Sequence, residues 1–331
     1  MPSRAPWPDG FARIPDEDWT AAPVESLAQK YDRVDAHGWY RNLDPTVEGL
    51  RSFLGDGSIA LDYSGGTGIL IERLLKRLPN GHVGIVDVDS SPKFLRLALE
   101  KLREDDRVAF RLIRYMKNRH RLQYVDEVLG EALVERGVDA IVSANAIHLY
   151  YDLADTLASW RRVVRPEGRV FVQSGNIHGD LETGQWIIDA TVEALQEQAA
   201  ALVREERRFA RYRKALDDSE HMERHADFRR KIFPPVRALE DYLETFRGAG
   251  FEPIDVTVQG VEARVDEWRD FISVYHEGVL GWVGGAEKVT GCPPDPQVVE
   301  DRRFLIRLAF ERLFPGPTFE AAWTYITCVP A

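Results

Sequence analysis

The segment that most constrains the fold is Asp62-Tyr63-Ser64-Gly65-Gly66-Thr67-Gly68, which lies between a predicted strand at 58–64 and a predicted helix at 69–78. Glycines in such a turn let the backbone bend tightly and approach a ligand without interference from a Cβ atom. Asp87 ends the next predicted strand, 19 residues after Gly68. A carboxylate at that place can accept both hydroxyls of a ribose. This order of elements predicts a nucleotide-type cofactor site.

Predicted strands and helices alternate through the middle of the chain. Further strands are expected at 82–89, 107–113, 138–145 and 165–175, and helices at 93–102 and 153–164. Strands separated by helices of this length predict an α/β fold with an open, mostly parallel sheet and right-handed crossovers. Two later strands, at 251–259 and 319–329, are predicted to complete the same sheet. The 331 residues are therefore interpreted as one sheet-centred domain with insertions.

The insertion after the fifth strand has its own pattern. Apolar residues recur every seven positions within 183–231, at Ile188, Leu195, Leu202, Phe209 and Leu216. The spacing predicts one long helix with a seam against a neighbouring element, and that seam is a candidate homodimer contact. Glu206 and Arg213 occupy places where a second apolar residue would stand. They argue against a full coiled coil.

The glycine pattern bears on which cofactor is bound. A dinucleotide fingerprint has the spacing G-x-G-x-x-G, in which the third glycine allows close packing of helix and strand. Here Gly66 and Gly68 are followed by Ile71 at the third position. A phosphate-binding P-loop is also disfavoured, because no Gly-Lys-Ser/Thr follows the turn.

On these residues the chain resembles the class I S-adenosylmethionine-dependent methyltransferases. The family's acidic-x-Gly-x-Gly-x-Gly motif reads Asp62-x-Ser64-x-Gly66-x-Gly68, with serine at the first glycine. The second-strand acid matches Asp87 in IVDVDSSPKFL. The fourth strand and its exit match SANAIHLY (143–150), and the turn before the fifth strand matches RPEGR (165–169), where Glu167 replaces the commoner glycine.

The resemblance implies a Rossmann-like, mostly parallel seven-stranded sheet with helices on both faces, a helical cap and S-adenosyl-L-methionine as cofactor. It implies that Gly66 and Gly68 approach the methionine part, Asp62 holds the amino group and Asp87 binds the ribose. Asn145 would lie near the sulfonium, and Tyr115 or Met116 would flank the adenine. The cofactor-binding positions carried over are Asp62, Ser64, Gly66, Gly68, Asp87, Asn145, Tyr115 and Met116.

The resemblance covers 56–175 well, and 236–260 with 319–329 more loosely. It divides the chain into an N-terminal arm and helical cap (1–55), a cofactor-binding α/β core (56–175), a long helical insertion (176–235), a return to the sheet (236–261), an aromatic-rich lid or insertion (262–318) and a final strand (319–331).

Three histidines are candidates for a general base, which methyl transfer needs only when the acceptor must lose a proton. His148 is favoured because it follows the fourth strand at the carboxyl edge of the sheet, where ligands bind. His276 and His37 are weaker candidates. Each of the three also fits an ordinary structural role.

The resemblance further implies that segments before the first strand and after the fifth cover the acceptor. Aromatic side chains there are candidates for lining an apolar pocket or contacting a cationic sulfur. The candidate pocket residues are Tyr31, Tyr40, Trp268, Tyr275 and Trp282. The glycines at 281, 284 and 285 suggest a movable lid.

Composition excludes several other classes. The net charge of −11, from 43 basic and 54 acidic residues, disfavours nucleic acid as a partner. Two cysteines cannot build a disulfide framework or a thiolate metal cage, and no spaced acidic cluster indicates a metal site. Neither a signal peptide nor a membrane span is evident, so a cytoplasmic protein is expected.

The sequence thus predicts an S-adenosylmethionine-dependent methyltransferase that moves a methyl group by in-line displacement to a small, partly apolar acceptor. Three alternatives stay open at this point. They are another S-adenosyl-type transferase such as an aminopropyl transferase, a NAD(P)-dependent oxidoreductase, and a non-catalytic cofactor-binding protein of the same fold.

Overall fold

The structure is a computed structural model that describes residues 5–33, 39–79, 81–179, 181–182 and 184–331, without the side chains of residues 39 and 40. Its strands are β1 (Ile59–Tyr63), β2 (Gly84–Asp89), β3 (Val108–Leu112), β4 (Tyr115–Met116), β5 (Arg121–Leu122), β6 (Val138–Ala144), β7 (Val164–Ser174), β8 (Gln185–Trp186), β9 (Phe251–Arg264) and β10 (Thr318–Pro330).

Fourteen α-helices lie among the described residues. They are α1 (Ser26–Asp32), α2 (Asp44–Phe53), α3 (Ile69–Arg77), α4 (Pro92–Leu102), α5 (Glu131–Arg136), α6 (Leu153–Val163), α7 (Ile188–Glu205), α8 (Arg213–Asp217), α9 (Ser219–Ile232), α10 (Leu239–Gly248), α11 (Val265–Val274), α12 (His276–Leu280), α13 (Glu287–Thr290) and α14 (Pro296–Leu313). Short 3₁₀ helices precede α2 and follow β6, at Trp39–Leu43 and Ile147–Leu149.

The main sheet has the strand order β3-β2-β1-β6-β7-β10-β9. Its first five strands are parallel, while β10 runs antiparallel to both β7 and β9. The short β8 adds an eighth strand beside the start of β10, and β4 with β5 forms a separate hairpin. The predicted mostly parallel α/β sheet is confirmed, and β9 and β10 complete it.

The central strands are apolar on both faces, which is why helices cover the sheet on both sides. Every residue of β1 and β2 is buried. The parallel strands β1, β2, β3 and β6 all bring their carboxyl ends to one edge of the sheet. That edge is where ligands bind in open α/β sheets.

The N-terminal arm lies along the edge strand β3. The backbone N–H of Phe110 donates to the carbonyl of Arg13 (3.0 Å). The Arg111 guanidinium donates to the carbonyl of Ala12 (2.7 Å), and the Trp7 indole donates to the carbonyl of Asp106 (2.8 Å). The arm therefore covers backbone groups that an edge strand would otherwise expose.

The insertion differs from the predicted continuous helix over 183–231. Helix α7 ends at Glu205 because Glu206 adopts an extended conformation, and a 3₁₀ segment at Arg207–Tyr212, α8 and α9 follow. The seam residues Leu195, Leu202 and Phe209 are buried within the same core cluster as Leu305 and Phe310 of α14. The apolar seam at these three residues is therefore covered from within this chain, and the homodimer contact stays a prediction.

The proposed lid glycines are also tied down. Arg302 of α14 is fully buried and donates to the carbonyls of Val283 (2.8 Å) and Gly285 (2.5 Å). Because a buried guanidinium needs these acceptors, the segment around Gly281 to Gly285 is held against α14. A lid movement at those glycines would have to break these hydrogen bonds or carry α14 with it.

No helix within the described ranges is long and apolar enough to cross a membrane. The same residues contain no group of three or more histidines, cysteines or acids placed to hold a metal ion.

Candidate functional site

The main candidate site is a large cavity of about 660 Å³ at the carboxyl edge of the parallel strands. Its floor includes Ser64 and Gly66 after β1, Asp89 at the end of β2, Ile113 after β3 and Asn145 after β6. A second, small cavity of about 50 Å³ reaches Asp62 and Thr67 beneath the turn. The two cavities are adjacent, because they share five lining residues: Tyr31, Ser64, Gly66, Ala144 and Asn145.

The turn after β1 places backbone groups toward this site. Gly68 has a positive φ of 78° and immediately precedes α3, a conformation that glycine adopts without strain. Its missing side chain also matters, because a Cβ there would lie 2.8 Å from Leu102 of α4. The N–H of Gly66 donates to Asp89 Oδ2 (2.9 Å), which joins the turn to the end of β2.

The structure places Asp87, the predicted ribose carboxylate, away from the cavity lining. Asp87 is completely buried below the turn and is not part of the described lining of either cavity. Asp89, two residues later on the same face of β2, lines the large cavity. It also accepts the N–H of Ser91 (2.6 Å), the residue that caps α4. The sequence carried this signal in Asp89-Ser90-Ser91-Pro92, where the acid directly precedes the start of a helix.

Three carboxyl groups are thus gathered beneath and beside the turn. Burial raises the pKa of Asp62 to about 7, with a further contribution from Asp89. Burial raises the pKa of Asp89 to about 6, although the N–H groups of Ser91 and Gly66 oppose the change. The pKa of Asp87 is raised well above its ordinary value by burial and by its two acidic neighbours. A cation placed here would be strongly favoured.

Asn145 is fixed by an amide network behind the site. Its φ of 57° lies in the left-handed region, which asparagine tolerates better than most residues. Its side chain donates to Asn42 Oδ1 (3.2 Å) and accepts from Gln173 Nε2 (2.9 Å). The hydroxyl of Tyr325 donates to the carbonyl of Asn42 (2.9 Å). The segment before β1 is thereby anchored to β6, β7 and β10.

Tyr150 supports the turn from the other side. Its hydroxyl oxygen lies 2.8 Å from Ser143 Oγ, 3.1 Å from Ser64 Oγ and 3.2 Å from the carbonyl oxygen of Tyr63. Its ring packs edge-to-face against Tyr63 and Trp160. Sequence reasoning missed this residue, since only the fold brings the exit of β6 against the exit of β1.

Aromatic side chains are concentrated at this cavity, since seven of the eleven tyrosines of the chain line it. These are Tyr31, Tyr63, Tyr115, Tyr124, Tyr150, Tyr151 and Tyr275. The predicted pocket residues Tyr31 and Tyr275 are brought together at this wall. Tyr31 stacks on Phe94 with ring centroids 5.0 Å apart.

Two other predicted pocket residues do not reach the cavity. Trp268 is buried in the core and packs edge-to-face against Phe319. Trp282 is buried beside α9 and lines a separate groove with Arg211 and His221. Both tryptophans attach the cap to the sheet rather than lining the site. The side chain of Tyr40 lies outside the described residues.

The β4–β5 hairpin forms one rim of the cavity. Tyr115 is 57% exposed and lines the opening, whereas Met116 is half-buried and is not among its described lining residues. Leu122 of the same hairpin, together with Leu149 and Tyr151 beyond β6, adds exposed apolar surface at the rim. The opening is therefore bordered by apolar groups from two sides.

The structure also places two candidate histidine bases away from the site. His148 is buried, and its Nδ1 lies 2.9 Å from Ser174 Oγ. Burial and the nearby Arg237 lower its pKa to about 4. His276 begins α12, where burial, Arg302 and Arg303 lower its pKa to about 4. Neither is part of the described lining of the two cavities. His37 lies outside the described residues.

A buried neutral histidine predicts acid sensitivity. The unfolded chain binds a proton on His148 below about pH 6.5, whereas the folded chain does so only near pH 4, so stability is lost as the pH falls through this window. We expect His148→Gln to reduce the loss in unfolding free energy between about pH 7 and pH 4.5 by about 2 kcal/mol. Urea unfolding of both proteins at the two pH values measures this difference. An equal loss in both proteins would contradict it.

Comparison with known proteins adds a decisive finding. Residues 61–170, which span the turn, β2, β3, β6 and the start of β7, match a family model described as a methyltransferase domain. These residues form a methyltransferase domain, which confirms the predicted resemblance to the class I S-adenosylmethionine-dependent methyltransferases. The match falls on the predicted cofactor core, while the methyltransferase's arm, helical insertion and aromatic-rich segment lie outside it. No curated protein sequence matches the chain.

Solved structures resemble the methyltransferase at low sequence identity. The YcgJ protein from Bacillus subtilis is 12% identical with a TM-score of 0.48, covering 88% of this chain and 98% of its own. A putative methyltransferase from Bacillus halodurans is 12% identical with a TM-score of 0.47, and the match covers 87% of this chain and 98% of the other. A methyltransferase from Geobacter sulfurreducens in complex with S-adenosylhomocysteine is 13% identical with a TM-score of 0.43, and the match covers 92% of this chain and 98% of the other.

Proposed function

We propose that this methyltransferase transfers a methyl group from S-adenosylmethionine to a small, partly apolar acceptor held against the tyrosine-lined wall of the large cavity. The observation that carries the proposal is the meeting of three features in one continuous cavity. The glycine-rich turn, the Asp89 carboxylate and the aromatic wall of Tyr31 and Tyr275 all border it.

The residues of the cavity fit the cofactor. Asp62 borders the small cavity, and its buried Oδ2 has no hydrogen-bond partner among the described residues, which suits a positively charged amino group. Asp89 faces the large cavity with a carboxylate that can accept two ribose hydroxyls. Ile113 and Tyr115 border the same cavity after β3 and offer apolar surface to an adenine ring. We therefore assign the ribose contact to Asp89.

S-adenosylmethionine supplies an activated methyl group on a positively charged sulfur, so its leaving group is neutral. The protein then has to align the acceptor and exclude water more than to move protons. Asn145, held in place by Asn42 and Gln173, is a rigid border between the two cavities. The apolar rim of Leu122 and Leu149 limits access of water. No histidine base enters this proposal.

The proposal is tested by product formation. Purified protein and isotopically labelled cofactor are incubated with a panel of small phenols, amines, carboxylic acids and thiols, and labelled products are separated by chromatography. We expect transfer to at least one apolar or aromatic member. Cofactor binding without transfer to any member would instead favour a non-catalytic binding protein.

The aromatic wall makes a separate prediction about acceptor affinity. Replacing Tyr275 with leucine removes a ring from the cavity wall, and we expect the KM for the acceptor to rise by about tenfold with little change in cofactor affinity. Steady-state kinetics with varied acceptor measures the effect.

Trp282→Phe is the matched control, because it alters an aromatic residue of the same segment that lies away from the cavity. Its KM is expected to match that of the unaltered protein. Equal increases in KM for the two variants would contradict a role of the Tyr275 ring in holding the acceptor.

A further inference from the structure

Asp62 and Asp87 form an unusual pair beneath the glycine-rich turn. They are directly opposite one another on the adjacent parallel strands β1 and β2. Both carboxyl groups lie within 3.0 Å of the point where a Cβ atom of Gly65 would stand. Two acidic side chains are therefore packed under one glycine.

The two carboxyl groups are almost completely buried and have few polar partners. Asp62 is 1% exposed and Asp87 is completely buried. Asp62 Oδ2 and both carboxyl oxygens of Asp87 have no hydrogen-bond partner among the described residues. Two full negative charges at this spacing without partners are very unfavourable, so one proton is expected to stay on the pair.

We propose that Asp87 is a positioning residue that keeps this proton and shares it with Asp62, so that the Asp62 carboxylate stays ionised and turned toward the cofactor's amino group. The inference rests on the proposed role of Asp62 in cofactor binding. Asp87 itself touches neither cavity, so it acts through Asp62 alone.

The surrounding charges favour a protonated Asp87 beside an ionised Asp62. Asp89 of β2 adds a third carboxyl group, which makes a second negative charge on the pair less favourable still. The one cation that acts on Asp87 within the described part of the chain is Lys101 of α4, which is already paired with Asp32 (2.7 Å) and Glu72 (2.6 Å). Asp62 borders the small cavity and Asp87 does not, so the ionised member is the one that can face a cationic ligand.

Two substitutions of Asp87 test whether this residue donates a hydrogen bond to Asp62 or only fills space beneath the turn. Asp87→Asn keeps the size and a permanent N–H donor toward Asp62, whereas Asp87→Val removes the donor and suits a buried strand. The affinity for S-adenosylhomocysteine, which carries the same amino group, is measured by calorimetry from about pH 8 to about pH 6. Circular dichroism confirms that each variant is folded.

The unaltered protein is expected to lose affinity as the pH falls through about 7, because Asp62 takes up a proton there. The affinity of Asp87→Asn for S-adenosylhomocysteine should lie within about threefold of that of the unaltered protein at every pH, and it should change with pH in the same way. Asp87→Val should bind about tenfold or more weakly near pH 8, and its loss of affinity should begin at a higher pH.

The opposite outcomes are distinct. If Asp87 were ionised, Asp87→Asn would remove a negative charge beside Asp62, and the loss of affinity would move to lower pH by about a unit or more. That shift, or a valine variant that binds like the unaltered protein, overturns the inference while leaving the proposed function intact. Absence of S-adenosylhomocysteine binding by the unaltered protein overturns both.

Discussion

Asp89→Ala is expected to weaken the binding of S-adenosylhomocysteine by about 100-fold or more. The carboxylate that lines the cavity is the proposed acceptor for two ribose hydroxyls, and charge-assisted hydrogen bonds of this kind are among the strongest in proteins. The substitution also removes the acceptor of the Gly66 N–H, which holds the turn against β2. Titration calorimetry near pH 8 measures the change directly.

Two further variants control for general effects. Asp89→Asn keeps one acceptor oxygen. Its affinity for S-adenosylhomocysteine should lie between those of the alanine variant and the unaltered protein. Asp152→Asn removes a different carboxylate from the lining of the same cavity, and its affinity should be nearly unchanged. An alanine variant that binds as tightly as the unaltered protein would contradict the assignment of Asp89.

Gly65→Ala should produce the second large effect. A methyl group at this position overlaps Asp87 Oδ1 and lies 2.9 Å from the Asp62 carboxyl group, so the turn has to move. Overpacking of this kind costs about 1–3 kcal/mol, and because the displaced turn carries Ser64 and Gly66, we expect cofactor affinity to fall by about 10- to 100-fold. Calorimetry and thermal unfolding report on binding and stability separately.

Gly55→Ala is the matched control, since a methyl group there meets no atom within 4 Å and the backbone conformation is an ordinary one. Adding Asp87→Ala to the Gly65→Ala protein removes the overlapping oxygen and should restore part of the thermal stability. A Gly65→Ala protein that binds normally would show that the turn is not packed against this pair.

The core of the fold could be predicted because its signals are local. A run of apolar strand residues, a glycine-rich turn and an amphipathic helix follow one another between residues 58 and 78. Each of them can be recognised from the residues next to it in the sequence. The membership of β9 and β10 in the sheet was also accessible, because each segment has a strand-like pattern and follows a turn signal.

The carboxylate that we propose for the ribose, Asp89, was harder to identify from the sequence. Asp87 and Asp89 are two residues apart on one strand, so they point to the same face, and alternation cannot separate them. What separates them is the end of β2, since Asp89 is the last residue of the strand and lies beside the N-terminus of α4. The serine and proline that begin α4 mark this point in the sequence.

The parts of the site outside the core could not be predicted from periodicity. Tyr275 and Trp282 are seven residues apart in an aromatic-rich segment, yet the first lines the cavity and the second packs beside α9. The seam of α7 predicted a partner surface, but α14 covers it from more than 90 residues away in the sequence. These roles depend on which distant helices meet, and a single-sequence pattern does not encode this directly.

The most direct test of the account is a crystal structure with S-adenosylhomocysteine bound. We predict that the ribose hydroxyls lie within hydrogen-bond distance of Asp89, the amino group faces Asp62, and the sulfur lies beside Asn145 with open space toward Tyr31 and Tyr275. A ligand whose ribose contacts other residues, or whose sulfur faces away from the tyrosine wall, would contradict it.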